Sequence, residues 1–204
     1  MGNHSGDSTK ANHDLRHFFD SIAPTWRNRD EEFEICEYII DLTDIALGSV
    51  AADIGCGKGV MLPHLLKTQP AKVFAVDISA NMLQYARQAH SDKRIEFVHE
   101  DIMSAQLPML DVALMYNVYP HFMDKAALVK KIAALVKTGG TAVIAHGASK
   151  ERINGCHQAG EKEKHSTALR AAEVEAELFA PYFKTVQLID NEKLYYIRLE
   201  RCAD

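Results

Sequence analysis

The stretch Val50-Ala-Ala-Asp-Ile-Gly-Cys-Gly-Lys-Gly-Val60 ends an apolar run in a carboxylate and follows it at once with three spaced glycines. Gly55, Gly57 and Gly59 let a chain turn tightly and approach a ligand with no Cβ in the way. Asp53 falls inside the strand end, where a buried carboxylate needs hydrogen-bond partners. The turn lacks the full G-x-G-x-x-G spacing of a dinucleotide site, so a cationic or amide-bearing ligand suits it better than a pyrophosphate. Two further apolar runs end in acids, VFAVDIS at Asp77 and RIEFVHEDI at Glu100-Asp101. Asp77 can accept both hydroxyls of a ribose lying across the first turn, and Ser79 is the alternative residue for capping the helix that follows. Asp101 suits the exocyclic amine of an adenine, so three acidic strand ends line one crevice.

Such acids reach one edge only if parallel strands carry them. From Val50 onward short apolar runs alternate with helical patterns: VAADI, KGVMLPHLLK, KVFAVD, SANMLQYARQAH, RIEFVHED, DVALMYN, DKAALVKKIAALV and TAVIAH, the last after a turn at Gly139-Gly140. That alternation predicts βαβ units and five parallel strands. A helix over Ala168–Leu178 is followed by KTVQLID and KLYYIRLER, joined at Asn191-Glu192, which predicts a terminal antiparallel hairpin. Ahead of the core, Leu15, Phe18, Phe19 and Ile22 recur at helical spacing until Pro24, and Glu31–Ala46 repeats the pattern. The expected fold is α/β, a Rossmann-like doubly wound sheet of seven strands, mostly parallel with a C-terminal antiparallel hairpin and helices on both faces. One domain over 1–204 is expected: a helical cover at 1–47, a binding core at 48–146, a lid loop at 147–167, and a helix and hairpin at 168–204.

Composition narrows the function. At 204 residues and 47% hydrophobic content the chain can bury one proper core. A net charge of −5 with dispersed Lys and Arg offers no footprint for a nucleic-acid backbone. No run of about 18 apolar residues suggests a membrane span, and the polar start is unlike a signal peptide, so a cytoplasmic protein is expected. Cys36, Cys56, Cys156 and Cys202 form no CxxC pair and read as free thiols.

These motifs together resemble the class I S-adenosylmethionine-dependent methyltransferases, within the group similar to ubiquinone and menaquinone biosynthesis methyltransferases. DIGCGKG resembles their first motif, VFAVDIS the acidic second, HEDIM the adenine-contacting one and LVKTGGTAVI the segment before their fifth strand. HFFDSIAPTW resembles the FDxxAxxYD helix that lids the cofactor in that group. The resemblance runs from about Leu15 to the end. It implies S-adenosylmethionine as cofactor, with Asp53, Gly55 and Gly57 at the methionine part and Asp77 at the ribose. Asp101 and Ile102 would meet the adenine, Ile78 and Met82 flank its ring, and Cys56, Asn117 and Trp26 complete the set.

Residues just beyond the fourth and fifth strands would face the reactive centre, here Tyr116 through His121 and His146-Gly147. Methyl transfer needs alignment and water exclusion, and a base only when the acceptor has a proton to lose. Tyr116, His121 and His146 are the catalytic candidates. His121 and His146 could instead join Cys156, His157 and His165 around a metal or metalloid-bearing substrate, or simply satisfy backbone groups. No metal cofactor is expected. YNVY departs from the [DN]PPY motif of amino-methylating nucleic-acid enzymes and no target-recognition domain is left over, so a small-molecule acceptor is expected, with the chain a monomer or homodimer. Two alternatives use the same residues: a nicotinamide-dependent oxidoreductase, against which the glycine spacing and the lack of Tyr-x-x-x-Lys argue, and a non-catalytic cofactor-binding regulatory module.

Overall fold

The computed structural model describes residues 5–26, 32–157 and 164–203. Seven strands form one sheet: β1 (Val50–Ile54), β2 (Lys72–Asp77), β3 (Ile95–His99), β4 (Leu110–Tyr116), β5 (Val136–His146), β6 (Phe183–Asp190) and β7 (Tyr195–Arg201), in the spatial order β3-β2-β1-β4-β5-β7-β6. The first five are parallel, and β7 inserts antiparallel between β5 and β6. Helices α1 (Ser5–Ile22), α2 (Glu32–Thr43), α3 (Leu62–Lys67), α4 (Ala80–Ala89), α5 (Lys125–Leu135), α6 (Lys150–His157) and α7 (Ala172–Glu177) surround it. The expected fold is the observed one.

Alternation along the strands divides the core. Ala52 and Ile54 of β1 join Leu128 and Ile132 of α5 and Ala176 of α7, whereas Ala51 joins Ile39 of α2 and Leu65 of α3 on the other face. Strands buried on both sides read as continuous apolar runs, which is why the parallel core was legible. The strand order reverses between β1 and β4, so their connections leave on opposite faces and open a crevice at the carboxyl ends.

Helix α2 ends at Thr43 rather than Ala46, and β5 begins at Val136 and runs through Gly139-Gly140 rather than starting after them; four other boundaries differ from the sequence expectation, each for a local reason. The first helix starts at Ser5 rather than Asp14, because the apolar spacing marks only its packed part and no proline interrupts the polar turns before it. Helix α3 covers only Leu62–Lys67, since Gly57 and Gly59 take left-handed backbone (φ 54° and 83°) and hold the preceding residues in turns. Within 147–167, expected as a loop, Lys150–His157 is helical; Ser149 Oγ accepts the Arg152 N–H, and Ile153 alone supplies a buried apolar anchor, too little to make a visible period. Residues 158–163 of that stretch, Glu31 at the expected start of α2 and the extreme polar lead lie outside the described residues. The last helix begins at Ala172, not Ala168, because Asn154 of α6 grips the Leu169 backbone in an irregular strap, residues 164–171. Among the described residues no helix is long and apolar enough to cross a membrane.

Candidate functional site

A cavity of about 440 Å³ lies at the carboxyl ends of β1, β2 and β4. Its floor is the turn after β1. Gly55 and Cys56 donate their N–H groups to the Val76 carbonyl (2.8 and 3.0 Å), which pins the turn to β2. Gly55 has φ 70°, and a Cβ there would run into the Val118 side chain, so both conformation and space require glycine.

Asp77 serves this turn directly. Its Oδ2 accepts the Gly57 N–H at 2.7 Å and its Oδ1 accepts the Ser79 N–H at 2.8 Å. Ser79 takes the capping role at α4, accepting the Met82 N–H through Oγ. Burial pushes the Asp77 carboxyl up to about 6, against the pull of those two N–H groups. Each oxygen has a second lone pair beyond these bonds, and Asp77 lines the cavity.

Asp53 is different. It is 1% exposed, and its Oδ2 has no hydrogen-bond partner among the described residues. Burial, followed by the charge of Asp77, raises its carboxyl to about 7. A protein keeps such an orphan acceptor at a cavity wall at a cost of about 1–3 kcal/mol, and a cationic group in the cavity offsets it. The neighbouring Cys56 thiol is also pushed up by burial and by Asp77, so it stands as a neutral S–H and not a nucleophile.

The remaining wall comes from Ile78 and Met82 beside Asp77, and from Asp101 and Ile102 after β3, where Asp101 Oδ1 accepts the Met103 N–H. Tyr116 ends β4, and Asn117 follows with left-handed backbone (φ 55°), tied to β5 by its N–H on the Ala145 carbonyl. Helix α1 and the turn beyond it form the roof through Leu15, Phe19 and Trp26. This roof is pinned twice: Asp20 accepts from Ser79 Oγ (2.6 Å) and the Asn81 N–H (3.1 Å), and Lys58 Nζ donates to the Trp26 carbonyl (2.8 Å).

The cavity thus gathers Trp26, Asp53, Gly55, Cys56, Gly57, Asp77, Ile78, Met82, Asp101, Ile102, Tyr116, Asn117 and His121, all named from sequence. His146 is not among its lining residues. It is 1% exposed at the end of β5, with its ring 5.9 Å from that of Tyr195 in the core between the sheet and α7. Strand alternation turns it toward that face, and its proposed contact with an acceptor has no support from this position. Tyr116 has its hydroxyl beside Gly147. Among the described residues no three His, Cys, Asp or Glu side chains stand together as a metal site; Cys156 is exposed on α6, and the side chain of His157 lies outside the described set. Sequence reasoning missed Lys58, Phe122 and Met123 as lining residues, whereas His165, named there as a candidate substrate contact, does line the cavity. Phe19 falls in the stretch whose resemblance implied a helix lidding the cofactor, and the docking of α1 places its ring on the cavity.

Residues 52–144 match the family described as a methyltransferase domain. An uncharacterized methyltransferase of Mycobacterium tuberculosis is 33% identical over 94 residues, 45% of this chain and 47% of that protein. A ubiquinone biosynthesis O-methyltransferase of Stutzerimonas stutzeri is 29% identical over 134 residues, covering 60% of this chain and 57% of its own length. The chain spans about half the length of the curated relatives it matches. The crystal structure of the N-methyltransferase NodS from Bradyrhizobium japonicum, in complex with S-adenosylhomocysteine, superposes with TM-score 0.69 at 15% identity, covering 92% of this chain and 98% of that one. That likeness is one of fold.

Proposed function

We propose that this chain, whose residues 52–144 match the methyltransferase-domain family, transfers a methyl group from S-adenosylmethionine to a small-molecule acceptor. The observation that carries the cofactor assignment is the orphaned Asp53 carboxylate on the wall of a cavity that also presents Asp77 and Asp101. A nucleoside carrying an amino acid fits this set: Asp53 and the Gly55–Gly57 turn take the ammonium-bearing end, Asp77 the ribose hydroxyls, and Asp101 with Ile102 the adenine, with Ile78 and Met82 against its faces. A dinucleotide would instead bring phosphate charge to a wall that already holds three carboxylates.

When bound, S-adenosylmethionine supplies a methyl carbon activated by its sulfonium, and the leaving group is a neutral thioether. The chain's own part is alignment and dryness. Phe19 and Leu15 of α1 close the cavity from above, and Tyr116, Asn117 and His121 bound the end where an acceptor would meet that carbon. A small acceptor is supported by this helical roof and by the net charge of −5, which is unfavourable to a polyanionic substrate.

The assignment is tested by incubating the protein with S-adenosylmethionine tritiated in its methyl group, separately with a pooled panel of phenols, amines, carboxylic acids and thiols, with total RNA and with denatured protein. Label in the small-molecule pool is the expected result. Label confined to RNA or protein contradicts a small acceptor, and no transfer to any of the three contradicts the catalytic reading.

A further inference from the structure

The turn that carries His121 is held from outside the cavity's acidic wall, by a strap whose first residues, Lys164 and His165, also line the cavity. The strap, residues 164–171, lies along residues 119–121 and is tied to them repeatedly. His121 Nδ1 donates to the His165 carbonyl at 2.7 Å. The Pro120 carbonyl accepts both the N–H (2.7 Å) and the Oγ1 (3.2 Å) of Thr167. Asn154 accepts the Leu169 N–H at 2.8 Å and donates Nδ2 to the Leu169 carbonyl at 2.9 Å, fixing the strap from α6.

Behind the turn sits Glu175 of α7, fully buried. It accepts from the Tyr119 hydroxyl (2.9 Å), Lys125 Nζ (2.9 Å) and three donors of Arg170: N–H (3.2 Å), Nε (3.0 Å) and Nη2 (3.2 Å). Burial works against its charge, yet Arg170 and Lys125 hold the carboxyl down at about 2. One carboxylate therefore joins the His121 turn, the first residue of α5 and the strap. On the cavity side the Phe19 ring meets the His121 ring edge to face, with centroids 5.0 Å apart and planes at 90°.

This arrangement decides which nitrogen of His121 is basic. A carbonyl oxygen only accepts, so Nδ1 must carry the proton, and the neutral ring then holds its lone pair on Nε2. A histidine free in water favours the opposite tautomer.

We propose that the strap and Glu175 are a positioning device that locks His121 as the Nδ1–H tautomer, making Nε2 a proton acceptor and fitting the site to acceptors that lose a proton from oxygen or nitrogen. The proposal rests on the methyl-transfer reading above and specifies its acceptor class. In the step, the acceptor's lone pair forms the bond to the methyl carbon as the carbon–sulfur bond breaks and its electron pair stays on sulfur. The acceptor's O–H or N–H proton passes to His121 Nε2. Glu175 touches neither ligand; it acts through Tyr119 and Arg170.

The test is two-bond nitrogen–proton correlation NMR on protein labelled with ¹⁵N-histidine, at pH 8 with S-adenosylhomocysteine, where an imidazole of ordinary pKa, about 6.5, is neutral. His121 is assigned from the spectrum of His121→Gln. The expected result is a pyrrole-type Nδ1 and a pyridine-type Nε2 in the wild type. Tyr119→Phe, which cuts the Glu175 link, and Thr167→Val, which removes the hydroxyl on Pro120, should each give a mixture of tautomers. S-adenosylhomocysteine affinity, measured on the same samples, should stay within about twofold. An Nε2–H tautomer in the wild type overturns the proposal, as does an undiminished Nδ1–H form in both variants. Label passing only to thiols in the acceptor screen, with His121→Gln as active as wild type, also overturns it. If the wild type binds no S-adenosylhomocysteine, the methyl-transfer reading itself fails, a result distinct from a wrong tautomer in a protein that binds.

Discussion

On the proposed reading, Asp53 is held for binding at the expense of stability. Its carboxyl sits at about 7 in the folded chain because burial penalises the charge, against about 3.9 in an unfolded chain. Between those values the folded state holds the proton while the unfolded state releases it, so this group lowers stability as pH rises from about 4 to about 7. Asp53→Asn removes that penalty. The ligand-free variant is expected to melt several degrees above wild type at pH 8, at about 2–4 °C per kcal/mol for a chain of this size, with no advantage at pH 4. Its affinity for S-adenosylhomocysteine should fall at least about tenfold, because a hydrogen bond to a charged group is worth about 1.5–3 kcal/mol. Wild-type affinity should itself rise between pH 6 and pH 7.5 as the carboxylate forms; calorimetry across that range checks the sign. Asp77→Ala behaves differently, since Asp77 already accepts from Gly57 and Ser79. Losing it should weaken binding by at least tenfold and also lower the melting temperature of the ligand-free protein, whereas a loss of affinity with unchanged melting contradicts its role in holding the turn.

At the scale of elements, α1 is the piece whose attachment matters most. It meets the core through Asp20 on Ser79 and Asn81, and residues beyond it through Lys58 on the Trp26 carbonyl. Asp20→Ala should leave the fold intact and speed ligand release several-fold with little change in association rate, measured by stopped-flow fluorescence of Trp26, which is 38% exposed. An unchanged release rate contradicts α1 as a roof. The sequence made the parallel strands legible because burial on both faces writes unbroken apolar runs, and made the acidic strand ends legible because each closes such a run. It did not reveal α6 or the strap. Those are held by side-chain grips on backbone, Asn154 on Leu169 and Thr167 on Pro120, which leave no periodic trace. His146 stands at the strand end expected but outside the cavity lining: position at a strand end is readable from sequence, but which face the side chain takes depends on strand parity and register.

At the scale of the whole molecule, the reversal of strand order between β1 and β4 concentrates the cavity-lining residues at one edge of the sheet. The antiparallel β7 then closes the far side, where Tyr195 and Ile197 pack in the core with α7 and the Glu175 network behind the His121 turn. The cavity is lined by turns after β1, β2, β3 and β4 at once, so on the proposed reading a ligand should stabilise the molecule as a unit. A ligand present at about a hundred times its Kd adds about 2.7 kcal/mol, which raises the melting temperature by roughly 5–10 °C for a chain of this size. Differential scanning fluorimetry with S-adenosylhomocysteine reads this directly, and a shift that does not grow with ligand concentration contradicts binding to the folded state.

The most direct test of the central claim is isothermal titration calorimetry of the purified protein with S-adenosylmethionine, S-adenosylhomocysteine and NAD in parallel, at pH 7.5. The account predicts saturable one-to-one binding of both adenosyl ligands, lost or weakened at least about tenfold in Asp53→Asn, and no heat from NAD. Binding of NAD in their place, or adenosyl binding indifferent to Asp53, would contradict it.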